Sequence, residues 1–287
     1  MPETLIPAAP NESTVDDLRR LYTELLKRTL TRYTFGETWL PYRPRPRSWR
    51  TLLYRQGHRL LRRRGLELVA RFEYSAQARE HGRDWPPEAE TMVGLKRLDN
   101  LEFCVRDVLD KGVPGDLIET GVWRGGSCIF MRALLAAHGD ASRRVWVADS
   151  FQGLPKPRPD HADDVQDALW NQPFLAVSLE QVQENFRRYG QLDERVRFLP
   201  GWFEDTLPTA PVERLAVMRL DGDMYDSTMV ALRSLYPKLS VGGYVIIDDY
   251  HAVRGCKRAV DDFRAAHGID DELHQVDWTC RYWQRTR

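Results

Sequence analysis

From Gly115 onward the chain alternates short apolar segments with helical patterns, and this alternation constrains its fold more than any other feature. Alternating strands and helices predict an α/β fold, in which a mostly parallel seven-stranded sheet is covered by helices on both faces. The predicted strands lie at 116–120, 144–150, 195–199, 215–221 and 243–248, followed by an antiparallel pair at 273–277 and 281–284.

The first third of the chain lacks this alternation. We interpret residues 1–110 as a helical lid region and residues 111–287 as the α/β core. Prolines in Tyr42-Arg-Pro-Arg-Pro-Arg predict a break in helical structure at 42–47. Apolar periodicity predicts a helix at 15–31, and further helices are expected in the basic segment 51–72 and at 88–109.

Charge is unevenly distributed along the chain, although 42 basic and 42 acidic side chains give a formal net charge of zero. An Arg-rich insertion at 38–66 contains nine arginines and no acid, so the rest of the chain is acidic. We interpret the insertion as a solvated helix face, or as a contact with the acidic body of a partner subunit. Basic runs also bind phosphate backbones, so nucleic-acid binding is a less favoured alternative.

Several protein classes are excluded by composition. No apolar run approaches the roughly 18 residues of a membrane span. The first residues do not combine a basic region with an apolar stretch, so no signal peptide is predicted. The four cysteines have no C-x-x-C spacing, which argues against a zinc site or a disulfide framework. These features predict a cytoplasmic protein without membrane contact.

Ligands of open α/β sheets bind beyond the carboxyl ends of the strands, so the residues there are the first candidates. The first predicted strand ends in an acid-x-Gly turn, Glu119-Thr-Gly-Val-Trp-Arg-Gly-Gly-Ser, which is neither a dinucleotide fingerprint nor a P-loop. Such a turn suits S-adenosylmethionine, whose ammonium would meet the acid and whose carboxylate would meet donors such as Ser127. A glycine-rich turn without a ligand is the alternative.

The next two strand ends extend this cofactor hypothesis. Asp149 follows the second strand, where an acid accepts the ribose hydroxyls of an adenosine group. Trp202 and Phe203 follow the third, where an aromatic ring would stack on adenine. Core packing is an equally good interpretation of either aromatic residue alone.

Acidic clusters follow the fourth and fifth strands, as Asp221-Gly-Asp-Met-Tyr-Asp and Asp248-Asp-Tyr-His. Neighbouring parallel strands end side by side, so these clusters should converge. Crowded carboxylates repel and have raised pKa values, and a hard divalent cation removes that cost. Oxygen ligands favour Mg²⁺ or Ca²⁺ over zinc, so we predict a metal site here rather than a solvated acidic surface.

Longer motifs resemble one family, that of the macrocin O-methyltransferases (TylF-like). They are GDLIETGVWRGGSCIFMRALL, VWVADSFQGLP, GWFEDTLP, LDGDMYDSTMVAL, GGYVIIDDYH and GRDWPPEAETMVGLKRLDNLEFCV, which occur in a resemblance covering roughly 15–35 and 80–287. The resemblance implies a Rossmann-like class I methyltransferase core with an N-terminal helical lid. It also implies a homodimer or higher homo-oligomer that uses S-adenosylmethionine and Mg²⁺ to methylate sugar hydroxyls on natural products.

The resemblance also implies roles for individual residues. Asp223 would be the general base, and His251 is a rival for that role. The implied metal ligands are Asp221, Asp248 and Asp249. The implied or inferred cofactor-binding residues are Met92, Val93, Glu119, Thr120, Gly121, Ser127, Asp149, Ser150, Gln152, Ser178, Trp202 and Phe203. Ser178 and Gln181 also fit a helix capping box, which would explain Ser178 without a ligand.

The predicted reaction is methylation of a small-molecule glycoside. Mg²⁺ bound by two adjacent hydroxyls would acidify one of them, and Asp223 would take its proton as the methyl group is transferred. Two alternatives remain: a catechol-like acceptor in place of the sugar, and, less favoured, a nucleic-acid methyltransferase that uses the Arg-rich insertion.

Overall fold

The computed structural model describes residues 12–36, 38–42, 49–72, 74–158, 162–165 and 169–287. The described helices are α1 (Glu12–Leu30), α2 (Trp49–Arg63), α3 (Ala76–Glu80), α4 (Leu95–Asp110), α5 (Gly126–Ala137), α6 (Ala162–Val165), α7 (Leu179–Arg188), α8 (Phe203–Thr206), α9 (Tyr225–Leu235) and α10 (Arg254–Ala266). The strands are β1 (Thr38–Pro41), β2 (Val69–Phe72), β3 (Asp116–Thr120), β4 (Val145–Asp149), β5 (Val196–Pro200), β6 (Leu215–Leu220), β7 (Leu239–Ile247), β8 (His274–Gln275) and β9 (Arg281–Gln284). None of the described helices combines the length and the apolarity needed to cross a membrane.

The main sheet confirms the predicted α/β fold. Its seven strands have the order β5-β4-β3-β6-β7-β9-β8. The first five are parallel to their neighbours, whereas β9 is antiparallel to both β7 and β8, as the predicted closing pair requires. Chain order reverses between β3 and β6, which is where an open α/β sheet leaves a crevice for a ligand.

Helices cover both faces of the sheet, and β3 shows how the sequence divides between them. Leu117 packs into a core with residues of α1, α4 and α5, whereas Ile118 packs on the opposite face with α9 and α10. Both side chains are fully buried. Successive side chains of a strand point to opposite faces, so a strand buried on both faces is apolar throughout.

The N-terminal region is only partly helical, and the prediction of a continuous helix at 51–72 is wrong. Helix α2 ends at Arg63, where Gly65 has a φ of 71° and Leu66 N donates to Leu61 O, the pattern of a glycine C-cap. Residues 69–72 then form β2, which pairs antiparallel with β1. The predicted break at 42–47 falls largely on 43–48, outside the described residues.

The helix predicted at 88–109 begins later, at Leu95. Gly94 is its N-cap, and a Cβ atom there would lie 2.3 Å from Gly82 N and 2.4 Å from Glu80 O. The segment before α4 therefore packs backbone against backbone, which only glycine allows. This turn holds residues 82–93 beside the ends of the central strands.

Candidate active site

The turn after β3 is packed so closely that its glycine has no substitute. Gly121 has a φ of 80°, and a Cβ atom there would lie 1.7 Å from the carbonyl oxygen of Asp221. Gly121 N donates to Ala148 O at 2.8 Å. The turn is thereby held against the ends of both β4 and β6, the crevice predicted from strand order.

Asp149 organises the same crevice from the end of β4. Its two carboxylate oxygens accept from Val122 N and Phe151 N, each at 2.7 Å. Burial raises the pKa of Asp149, and the amide hydrogen bonds from Phe151 and Val122 oppose that rise. The carboxylate is therefore fixed in position by the two neighbouring loops.

Two adjoining cavities occupy the crevice. The smaller has a volume of about 240 Å³ and the larger about 410 Å³. The residues that line both are Met92, Gly121, Trp123, Leu175, Asp221 and Asp223. Together the cavities form one cleft with a shared wall at the end of β6. The volume of this cleft suits a cofactor beside a second small molecule.

The smaller cavity contains the residues predicted to surround an adenosine group. Asp149 and Ser150 line it from the end of β4, and Trp202 and Phe203 line it from the start of α8. Ser150 Oγ donates to Gly153 O at 2.7 Å, which fixes the loop after β4. The cavity thus combines a fixed acid with aromatic walls.

Three carboxylates converge where the two cavities meet. Oxygens of Asp221, Asp223 and Asp249 all lie within 4.8 Å of one another. Asp249 Oδ2 is buried and, within the described residues, has no hydrogen-bond partner. Burial raises the pKa of Asp249 well above its usual value, and repulsion from Asp223 and Asp221 adds to the effect. Asp223 has a φ of 55°, a conformation unusual for a non-glycine residue and often found at functional sites.

Asp248 occupies a different environment from Asp249, because arginines hold it. One oxygen accepts from Arg219, and the other accepts from Arg97 at 2.5 Å. Arg97 Nε also donates to Asp277 at 2.7 Å. The predicted metal ligands were Asp221, Asp248 and Asp249. The three carboxylates that the structure brings together are those of Asp221, Asp223 and Asp249. The role of Asp248 as a metal ligand stays a prediction, since both its oxygens already accept hydrogen bonds.

Glu119 lines the cleft and is also held by hydrogen bonds from neighbouring side chains. It accepts from Arg219 at 2.5 Å and from Cys128 Sγ at 2.8 Å. Burial raises the pKa of Glu119 to about 7, although Arg219 opposes the rise. Glu119 lines the larger cavity, together with Val93 at its wall and Ser127 at the start of α5.

Four predicted residues line neither cavity. Thr120 is fully buried within the sheet, and Gln152 is exposed. Ser178 accepts from Gln181 N at 3.3 Å and so caps α7, whereas the Gln181 side chain donates to Asn185 instead of completing a capping box. His251 is largely exposed, and its ring packs edge-on against Tyr250. The partial burial of the ring lowers the pKa of His251, and the charge of Arg281 adds to this effect. The structure therefore does not bring His251 to the carboxylates.

Sequence reasoning missed two groups of residues in the cleft. Arg97 and Arg219 hold the buried acids, and the sequence signal for Arg219 is its place in the otherwise apolar strand Leu-Ala-Val-Met-Arg-Leu. Trp85, Trp123 and Trp278 line the larger cavity. They come from loops far apart in sequence, so no local pattern indicates that they share a site.

Comparison with known proteins gives consistent relatives. The family model described as macrocin-O-methyltransferase (TylF) matches residues 19–285. A tetracenomycin-modifying enzyme of Streptomyces olivaceus, 8-demethyl-8-(2,3-dimethoxy-alpha-L-rhamnosyl)-tetracenomycin-C 4'-O-methyltransferase, is 54% identical over 94% of this chain and 95% of its own. Demethyldecarbamoylnovobiocin O-methyltransferase of Streptomyces niveus is 58% identical over 75% of this chain and 82% of its own.

Solved structures agree with these relatives. The O-methyltransferase NovP superposes with a TM-score of 0.80 at 49% identity, covering 94% of this chain and all of NovP. The calicheamicin methyltransferase CalS11 has a TM-score of 0.55 at 20% identity, over 97% of this chain and 94% of its own, and is similar in fold.

Proposed function

Because the chain belongs to the macrocin O-methyltransferase (TylF) family and is an O-methyltransferase, we propose that it methylates a sugar hydroxyl of a glycosylated natural product, with S-adenosylmethionine and Mg²⁺. The curated relatives support the substrate class, since one of them is named for a rhamnosyl-tetracenomycin acceptor. The observation that carries the metal dependence is the cluster of Asp221, Asp223 and Asp249 at the junction of the cavities.

The acidic cluster fits a hard divalent cation. It offers only carboxylate oxygens, the ligands that Mg²⁺ prefers. None of the described residues donates a hydrogen bond to the buried Asp249 Oδ2, and such an acceptor is costly unless something satisfies it. A cation would also remove the repulsion that raises the pKa of Asp249. Asp221 and Asp249 would hold the ion, with Asp248 beside them, and the nearby carboxylate of Asp223 would act as the base.

The same residues define the proposed chemistry. Bound Mg²⁺ would lower the pKa of an acceptor hydroxyl, which is otherwise a poor nucleophile. Asp223 lines both cavities and so faces the cofactor and the acceptor at once. We propose that its carboxylate would accept the hydroxyl proton as the hydroxyl oxygen takes the methyl group and the bond from that group to the sulfonium sulfur breaks.

The cofactor would be held mainly in the smaller cavity. Asp149 would accept the ribose hydroxyls, and Trp202 and Phe203 would enclose the adenine. The methionine part would extend past Gly121 toward Ser127 at the start of α5, where backbone amides favour a carboxylate. This arrangement would bring the methyl donor close to the acidic cluster and to the acceptor hydroxyl.

Methyl-transfer assays on purified protein test the proposal. Incubation with S-adenosylmethionine and a panel of rhamnosides, catechols and short RNAs should give methylated rhamnoside only. EDTA should abolish the product and added Mg²⁺ should restore it. Methylation that withstands exhaustive chelation would contradict the metal dependence, and a catechol product without a sugar product would contradict the substrate class.

Two further properties remain predictions that accompany this function. A cytoplasmic location suits an enzyme that uses S-adenosylmethionine, and it agrees with four cysteines that are all unpaired and buried. A homodimer or higher oligomer is expected from the family resemblance. Size-exclusion chromatography with light scattering measures the oligomeric state directly.

A further inference from the structure

Three tryptophans from separate loops share the larger cavity. Trp85 lies in the loop before α4, Trp123 in the turn after β3, and Trp278 in the loop between β8 and β9. Trp85 and Trp278 are 53% and 41% exposed, although a tryptophan is usually buried. Exposed indoles that line a cavity indicate a site for an apolar ligand.

Hydrogen bonds fix two of these indoles. Trp278 Nε1 donates to His81 O at 2.8 Å, and Trp123 Nε1 donates to Phe174 O at 2.9 Å. The guanidinium of Arg124 lies 4.3 Å from the centroid of the Trp123 ring, and that of Arg83 lies 5.5 Å from the centroid of the Trp278 ring. The ring of Trp85 lies 5.6 Å from the ring of Phe174. Trp85 and Trp278 stay partly exposed, so the uncovered part of each ring offers a ligand an apolar surface.

The same cavity also has polar groups in its lining. They are Asp223, Asp249, Arg254 and Thr279. A ligand that meets both kinds of lining has hydroxyl groups at one end and a flat apolar group at the other. A sugar alone would meet the carboxylates and leave the indoles exposed.

We infer that Trp85 and Trp278 bind the aglycone of the acceptor, so that the enzyme selects glycosides of flat apolar molecules over free or small glycosides. This inference rests on the proposed function, because it assumes that the sugar end meets the acidic cluster. It implies that a glycosyl-transfer reaction precedes methylation, since only then does the acceptor have both ends.

Equilibrium binding gives the most direct test, because it needs no turnover. The probes are para-nitrophenyl α-L-rhamnoside, which has a flat aglycone, and methyl α-L-rhamnoside, which has none. Each is titrated by calorimetry into the enzyme with S-adenosylhomocysteine and Mg²⁺. Wild type should bind the aryl rhamnoside more tightly. Trp85→Ala and Trp278→Ala should each weaken that binding about tenfold and leave binding of the methyl rhamnoside unchanged.

Matched variants separate this effect from loss of structure. Trp39→Ala removes an indole that is 58% exposed on β1 and lines neither cavity, and it should change neither affinity. Trp85→Phe should recover most of the preference for the aryl rhamnoside. Affinity for S-adenosylhomocysteine should be the same in every variant.

The outcomes distinguish the inference from the proposed function. Equal weakening for both rhamnosides, or no weakening, would overturn the role of the indoles even if the wild type methylates rhamnosides. A wild type that binds the aryl rhamnoside through Trp85 and Trp278 and methylates neither probe would support the inference and count against a sugar hydroxyl as the methylated group. Absence of any binding to the wild type would overturn the inference.

Discussion

Arg219 Nη1 donates to Asp221 at 2.9 Å, which joins the acidic cluster to a guanidinium buried in the sheet. The same guanidinium pairs with Glu119 and Asp248. One arginine thus pairs with three acids, one on β3 and one just beyond the end of each of β6 and β7. Its position, rather than the acids alone, explains how so many carboxylates fit in one crevice.

Replacing Arg219 by methionine should therefore destabilise the protein strongly. The change leaves Glu119 and Asp248 buried with less compensating charge, and breaking a buried pair in this way costs about 3–5 kcal/mol. Urea denaturation measures the free energy of unfolding. The matched control is Arg187→Met, because Arg187 forms an exposed pair with Glu184, and exposed pairs contribute little to stability. Similar losses in the two variants would contradict the role given to Arg219.

Asp249→Asn should stabilise the metal-free protein while abolishing its response to Mg²⁺. The substitution removes a buried charge that faces two other carboxylates, so we expect a gain of about 1 kcal/mol. Wild type should gain stability from Mg²⁺ by mass action, about 2.7 kcal/mol at a concentration one hundred times the dissociation constant. Thermal unfolding with and without Mg²⁺ measures both effects. An unchanged Mg²⁺ response in the variant would exclude Asp249 from the site.

Asp223→Asn tests the general base. The amide keeps the shape and one oxygen but cannot accept the proton, so kcat should fall by at least about 100-fold. Binding of S-adenosylhomocysteine should be unchanged. The comparison is His251→Ala, which should retain most of the activity because His251 lines neither cavity. The reverse result, an active Asp223→Asn and an inactive His251→Ala, would assign the base to His251.

Gly121→Ala should be among the most damaging of the glycine substitutions. It incurs the cost of a positive φ, about 1–2 kcal/mol, and also brings a methyl group against the Asp221 carbonyl. Gly139→Ala provides the control, since Gly139 has a φ of 70° with no atom within 4 Å of its would-be Cβ. The difference between the two free energies of unfolding isolates the steric clash. Equal values would mean that the β3 turn moves away from β6 at no cost.

His138 should make stability depend on pH near neutrality. Burial lowers its pKa in the folded state, and the charge of Arg19 adds to the effect. The unfolded chain then binds the proton more tightly, so stability is lost as pH falls through the unfolded value of about 6.5 toward the lower folded value. Wild type should lose more stability between about pH 7.5 and about pH 5.5 than His138→Gln does. Equal losses in urea denaturation would show that His138 does not contribute.

Much of this architecture was predictable because the core obeys local rules. Short apolar segments separated by amphipathic ones correctly indicated the seven-stranded sheet, and the turn after each parallel strand correctly indicated the crevice. The end of α2 was missed because Gly65, with its positive φ, terminates the helix inside the basic segment that was predicted as one helix. The conformation of a single glycine decides where that helix ends.

The candidate site was predictable where acids follow strands and was not where partners come from distant segments. Asp221 and Asp249 were expected to meet, since β6 and β7 are neighbours. That Asp248 pairs with Arg97 depends on how α4 packs against the sheet, which no pattern in either segment encodes. Pairing of this kind follows from tertiary packing alone.

The hydrogen bond between Arg97 and Asp277 spans 180 residues of sequence. A contact of that range cannot form early in folding, because its loop-closure entropy is lost before any local contact compensates for it. The helices are therefore expected to form first, and the crevice acquires its final charge arrangement only when β8 and β9 dock. Recovery of cofactor binding during refolding would accordingly lag behind recovery of helical circular dichroism, so that binding competence reports the last step of folding.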